Sequence, residues 1–299
     1  MLQSYNSKND HLLIYINGEL LKREAAKISV FDSVVQGGDA VWEGLRVYNG
    51  RIFSLDRHLE RLQNSAHALA FKEVPDNEFI RQAIFKTLQA NDMRDGVHIR
   101  LTLTRGRKIT SGMDPRLNQF GPSLIILPEW KPPVYPPQIT LITSSVRRNS
   151  PLFLDSKIHH NNLLNNILAK IEANHAGADA GLMLDKDGFV SEANGVNVFC
   201  IYKGAVYTPH ASSCLPGITR GLVIDICKEH GIPISEQQLS LSEFYRADEV
   251  FTTGTMGELT RVAEIDGRPI VNKQETSVLE KINQHFTALT KTKGTPLPF

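Results

Sequence analysis

The stretch 190-VSEANGVNVF-199 sets a single carboxylate, Glu192, between a turn and an apolar run, and its surroundings decide how the chain is read. Upstream, 181-GLMLDKDGFVSE-192 has strand-like runs on either side of a Lys-Asp-Gly turn, so Glu192 closes a hairpin and leads into a strand. Downstream, 215-LPGITRGLVIDICKEHG-231 is a Pro-Gly turn running into an apolar-periodic helix. The amides of Gly217, Ile218 and Thr219 at that helix start have no partner within the helix, and the macrodipole there favours a phosphate. The Thr219 hydroxyl adds a donor. Further on, 252-TTGTMGELT-260 is a glycine-flanked turn whose Thr255 hydroxyl and backbone N–H suit another phosphate oxygen.

Before Glu192 lies 155-DSKIHHNNLLNNILAKIEA-173, read as a helix with a crowded polar head. Three uses compete for that head: a metal site, a solvated helix start, or a lysine that does covalent chemistry. Adjacent His159 and His160 point about 100° apart on a helix, unlike an i,i+4 pair, and so do not chelate one ion. Asn161, Asn162, Asn165 and Asn166 are poor helix formers within an amphipathic pattern, so something else must use the polar face. A lysine that anchors pyridoxal phosphate needs two companions: a carboxylate for the pyridine nitrogen and a phosphate cradle. Lys157, Glu192 and the two turns supply candidates for all three.

The rest of the chain bounds this reading. Its 299 residues, 41% hydrophobic and 22% charged, suit a folded soluble protein of one or two domains. A net charge of +1 gives no reason to expect nucleic acid or an anionic membrane as partner, and no apolar run reaches a membrane span of ~20 residues. The N-terminus lacks signal-peptide and transit-peptide features, and Cys200, Cys214 and Cys227 show no CxxC pairing, which points to a reduced, cytoplasmic protein. Asn-Gly in IYI-NG-ELL and RVY-NG-RIF predicts two hairpins. Helices are expected over 55–69, 76–92 and 275–291, and strands over 97–106, 122–130 and 139–146. Five prolines in 128-PEWKPPVYPP-137 read as a stiff linker. The expectation is α+β, with a small domain over 1–127, a linker over 128–137 and a larger domain over 138–299.

From the IYINGEL hairpin to the DGRPI turn, the chain resembles the fold-type IV pyridoxal-phosphate enzymes: branched-chain aminotransferases, D-amino-acid transaminases and aminodeoxychorismate lyases. The most specific part is the signature from Glu192 through Asn197-Val198-Phe199 and Thr208 to Leu215-Pro-Gly-Ile-Thr-Arg220, with Asn194 where a small residue or serine is usual. The resemblance implies a two-domain fold with barrel-like sheets in the larger domain, and a site completed by a neighbouring subunit, hence a homodimer or larger homo-oligomer. It implies that Lys157 is the Schiff-base lysine and proton shuttle, that Glu192 partners the pyridine nitrogen, and that Arg61, Gly217, Ile218, Thr219 and Thr255 bind phosphate. His159 and His160 receive no role. The tyrosine that branched-chain enzymes carry five residues past the lysine is Asn162 here.

Substrate choice rests on the N-terminal half. The Arg and His of D-amino-acid transaminases, four and six residues past the glycine of TRG, are replaced by Thr110 and Gly112. The YIR motif of branched-chain enzymes reads 98-HIR-100, which keeps Arg100 for a side-chain carboxylate and puts His98 in place of tyrosine. Trp42 falls on the substrate-lining strand, and the N–H groups of Thr255 and Met256 are expected at the substrate α-carboxylate. The resemblance thus implies transfer from a branched-chain L-amino acid to 2-oxoglutarate. The alternatives are a D-amino-acid transaminase or a lyase using the same lysine.

Overall fold

The computed structural model describes residues 4–212 and 214–299. The elements in chain order are β1 (Leu13–Ile16), β2 (Glu19–Lys22), α1 (Ser33–Gly37), β3 (Ala40–Tyr48), β4 (Arg51–Ile52), α2 (Leu55–Ala68), α3 (Asn77–Ala90), β5 (Val97–Thr104) and β6 (Ser123–Trp130). There follow β7 (Gln138–Thr143), α4 (Leu164–His175), β8 (Ala180–Leu184), β9 (Val190–Ala193), β10 (Asn197–Tyr202), β11 (Ala205–Pro209), α5 (Ile218–Glu229) and β12 (Ile234–Gln237). The chain ends with α6 (Leu241–Tyr245), β13 (Glu249–Gly254), β14 (Glu258–Ile265), β15 (Arg268–Pro269), α7 (Val278–Thr292) and β16 (Thr295–Pro296). Among the described residues, no helix is long and apolar enough to cross a membrane.

The elements fall into two units. The N-terminal unit holds the residues to Pro132, Ile158–Asn162 and Thr290–Phe299. Its seven-stranded sheet has the order β16-β4-β3-β5-β6-β1-β2. Asn17 and Asn49 take φ of 49° and 48° and are followed by Gly18 and Gly50 at 101° and 72°, the left-handed pairs that a two-residue hairpin turn requires. One face of this sheet carries Val41, Leu45, Val47, Ile99 and Leu101 against Leu59 and Leu62 of α2 and Ile84 and Leu88 of α3. Each side chain so buried contributes about 1.5–3 kcal/mol. The period-2 alternation sends Trp42, Gly44 and Arg46 to the other face, where Gly44 lies opposite Arg100 and Arg46 opposite His98. β6 continues through Pro128 to Trp130, so regular pairing extends three residues into the proline-rich stretch.

The polar cluster after Lys157 does not head a helix, contrary to the reading from sequence. α4 begins at Leu164, and residues 159–161 instead line up along the end of β3. His160 bridges Val41, the Trp42 N–H donates to the His159 carbonyl at 2.9 Å, and the Asn161 N–H donates to the Ala40 carbonyl at 2.8 Å. The edge of β3 offers backbone partners that these weak helix formers accept.

The second unit holds Pro133–Lys157 and Leu163–Leu289. Its sheet runs β12-β11-β10-β13-β14-β7-β8-β9, with β15 paired to β14. β9 lies at one end of that order yet packs back on β10 and β11, so the sheet curls toward closure. Lys203-Gly204 and Asp266-Gly267 close their hairpins with φ of 51° and 80°, and of 51° and 74°. The fold is mixed α and β with two sheets, as the sequence led us to expect.

Candidate active site

In the second unit the signature residues form one hydrogen-bonded network around Glu192, which is only 5% exposed. The Arg148 Nε donates to Glu192 Oε1 at 2.5 Å, and the Leu215 N–H approaches the same oxygen at 3.3 Å. The Asn197 Nδ2 donates to Glu192 Oε2 at 3.0 Å and to the Leu215 carbonyl at 2.9 Å. Burial pushes the Glu192 carboxyl up, and the Arg148 guanidinium works against that shift. Asn197 also presses on the head of α5: a Cβ on Gly217 would stand 2.0 Å from Asn197 Oδ1, so only glycine fits. Gly217 caps α5 without a side-chain bond. Backbone donors therefore head the helix next to a network that fixes a carboxylate, which suits a ligand pairing a phosphate with a protonated ring nitrogen.

Thr208 and Arg220 of the signature are structural. The Thr208 hydroxyl donates to the Val198 carbonyl at 2.9 Å, and Arg220 Nη2 donates to the Pro209 carbonyl at 2.8 Å and to Glu236 at 2.5 Å, tying α5 to β11. Asn194, the departure from the signature, earns its place by accepting from the Gly181 N–H at 2.9 Å while its own carbonyl accepts from Asn166 at 2.9 Å. The turn carrying Thr255 and Met256 is held close at both ends. A Cβ on Gly254 would meet Val196 at 2.9 Å and one on Gly257 would meet Tyr135 at 2.8 Å, while the Met256 carbonyl accepts from the Val134 N–H at 3.0 Å.

Lys157 sits exposed in a turn, its Nζ 3.0 Å from Asp155 Oδ2 and its own N–H bonded to Asp155 Oδ1 at 3.0 Å. Lys170, the nearest rival along the chain, donates to the Asp179 carbonyl at 2.5 Å and is tied to the turn between its own helix and β8.

In the N-terminal unit a second network centres on Glu43, fully buried on β3. The Arg61 Nε and Nη2 fork onto its two oxygens at 2.8 and 2.7 Å, His58 Nδ1 lies at 2.6 Å and His159 Nδ1 at 3.2 Å. Burial alone would raise this carboxyl; the His159 ring and the Arg61 fork reverse that and hold it well below the usual carboxylate range. His159 also stacks on Trp42 with ring centroids 4.1 Å apart. The Arg100 guanidinium lies 3.5 Å from the Trp42 ring centroid, and its Nη2 donates to Asn161 Oδ1 at 3.1 Å. His98 tips over Gly44, where a Cβ would stand 3.2 Å from its Nε2, and neither of its ring nitrogens finds a hydrogen-bond partner among the described residues. Trp42, His98 and Arg100 thus share one face of one sheet, while Arg61 takes its partner from the opposite face. Asn162 lies against Gly38 at the end of α1.

Sequence reasoning missed Arg148, Glu43, His58 and Asn161. Their side-chain partners lie 15 to 116 residues away, where no local spacing can announce them. The one available signal was the Arg-Arg pair ending 144-SSVRR-148, just beyond a strand.

Comparison with known proteins shows the family. Residues 40–265 match the family model for amino-transferase class IV. The chain is 56% identical over 293 residues to the branched-chain-amino-acid aminotransferase-like protein 2 of Arabidopsis thaliana, covering 97% of this chain and 52% of that protein. The chain thus spans about half the length of that relative. Among solved structures, the branched-chain amino acid aminotransferase of Escherichia coli superposes with a TM-score of 0.89 at 30% identity, over 95% of this chain and 96% of that one. The T.th. branched-chain amino acid aminotransferase, complexed with N-(5'-phosphopyridoxyl)-L-glutamate, gives a TM-score of 0.87 at 33% identity, over 94% of each chain.

Proposed function

Because the chain belongs to the class IV amino-transferase family, we propose that it uses pyridoxal 5'-phosphate to pass the amino group of a branched-chain L-amino acid to 2-oxoglutarate. The observation that carries this reading is the buried Glu192 network, which joins a fixed carboxylate through Asn197 to the head of α5. When bound, the cofactor supplies an electron sink for the pair left as the substrate Cα–H bond breaks. Glu192 accepts from the ring N–H and holds that proton in place, with Arg148 keeping the carboxylate oriented. Lys157 would hold the cofactor covalently, and its Nζ, when free and oriented by Asp155, would take the substrate Cα proton. The amides of Gly217, Ile218 and Thr219 and the hydroxyls of Thr219 and Thr255 bind the phosphate, with Arg61 as a further ligand whose fork is steadied by Glu43.

On the substrate side, Thr255 and Met256 N–H groups take the α-carboxylate, Trp42 lines the side chain, and Arg100 with His98 faces a side-chain carboxylate. The glutamate-bearing adduct in the T.th. enzyme supports such an acceptor. Two further readings rest on single features. The buried thiols of Cys200, Cys214 and Cys227, all free, suit a reducing cytoplasm. An exposed apolar stripe on α4 supports a homodimer.

Replacing Glu192 by Gln tests the core of this reading. The phosphate contacts remain while the ring proton loses its anionic partner, so kcat should fall by about 100-fold or more, an electrostatic loss of the usual size, with cofactor occupancy nearly kept. Wild-type turnover by the variant would refute the assignment.

A further inference from the structure

Arg100 is a half-buried cation whose partners, among the described residues, are neutral: the Asn161 amide oxygen at 3.1 Å and the face of Trp42. Burial pushes its guanidinium down to about 10, which still leaves it charged at neutral pH. Glu43, the carboxylate whose charge acts on it, is already forked by Arg61. Asn161 is presented rigidly, because its own N–H is bonded to the Ala40 carbonyl and its neighbour His160 bridges Val41. Only its side chain has to turn for Arg100 to be released.

We infer that Asn161 is a specificity-determining residue, a neutral stand-in acceptor that lets Arg100 serve two kinds of substrate side chain in turn. The inference rests on the reading of Arg100 as the side-chain carboxylate ligand. A pair in which both partners are ionised is roughly twice as strong as a neutral hydrogen bond, so an arriving carboxylate displaces the amide. A hydrocarbon side chain cannot displace it, and Asn161 then keeps the guanidinium from being left unpaired in a desolvated site. An aspartate at this position would close the site to carboxylates permanently, whereas an alanine would leave the cation bare beside a hydrocarbon.

Glutarate and 4-methylpentanoate, which carry the two side-chain types but no amine, separate these cases by calorimetric binding to the cofactor-loaded chain. Asn161→Asp should raise the glutarate Kd by about tenfold or more, the loss of one charge-assisted bond, and change the 4-methylpentanoate Kd far less. Asn161→Ala should move the ratio of the two Kd values the other way, by about threefold or more in favour of glutarate. The ratio within one variant cancels any general loss of folded protein. Arg100→Gln serves as the reference. If it removes the glutarate preference while the two Asn161 variants shift the ratio in the same direction or not at all, Asn161 is a bystander and only this inference fails. If Arg100→Gln leaves the ratio unmoved as well, the reading of Arg100 fails with it.

Discussion

His98 and His159 bring the same side chain into two settings that both keep it neutral. Burial, with Lys131, Arg46 and Arg100 nearby, pushes His98 down to about 3. Burial takes His159 down to about 4, with Glu43 pulling the other way. Both folded values lie below the ordinary imidazole value, so between roughly pH 6.5 and 4 the unfolded chain binds protons that the folded chain refuses. The stability these rings allow is complete above that window and declines as the pH falls through it, by about 1.4 kcal/mol per pH unit for each ring. Unfolding followed in urea at pH 7, 6 and 5 should show this decline, and His98→Leu should flatten it by one ring's share. An unchanged slope in the variant would mean that His98 is protonated in the fold. The HIR motif placed His98 beside Arg100 correctly along the strand, but its isolation was not legible. That depends on Arg46 facing it across the sheet and on Gly44 leaving it nothing to bond.

At the scale of elements, the turns were the most legible features and the lysine segment the least. Asn17-Gly18 and Asn49-Gly50 announce their hairpins because few other residues accept positive φ, a demand met within two residues of chain. The segment after Lys157 misled because its neighbours in sequence are helical while its bonding partner is β3, more than a hundred residues earlier. The asparagines that looked out of place in a helix serve different elements: Asn161 reaches Arg100, and Asn166 reaches the Asn194 carbonyl after β9. Freed of that polar head, α4 shows Leu164, Ile167, Leu168 and Ile171 at i, i+3, i+4 and i+7, each between 43% and 66% exposed. Such a stripe suits an interaction surface, and a second copy of the chain is the occupant proposed above. Leu168→Glu should shift sedimentation from dimer toward monomer at micromolar concentration. A wild-type chain that sediments as an active monomer would rule the dimer out.

At the scale of the whole molecule, the sequence conveyed an α+β fold with two sheets because hairpin signals and helical periods are local, and the structure has both. The division of the chain was harder to read. Residues Ile158–Asn162 and Thr290–Phe299 belong with the N-terminal sheet, where Thr295 pairs with Ile52, and no composition shift marks either return. The site was legible in the same uneven way. Glu192, Asn197 and Gly217 stood out as a motif, and the structure shows one network running through them, whereas Arg148, which completes it, is separated from Glu192 by 44 residues. The central proposal is that this network serves a cofactor held covalently by Lys157. The most direct test is to load the purified chain with pyridoxal phosphate, reduce with borohydride, digest, and locate the labelled peptide by mass spectrometry. The account predicts a single adduct on Lys157 that disappears in Lys157→Ala; an adduct on Lys170 or Lys186, or none at all, would contradict it.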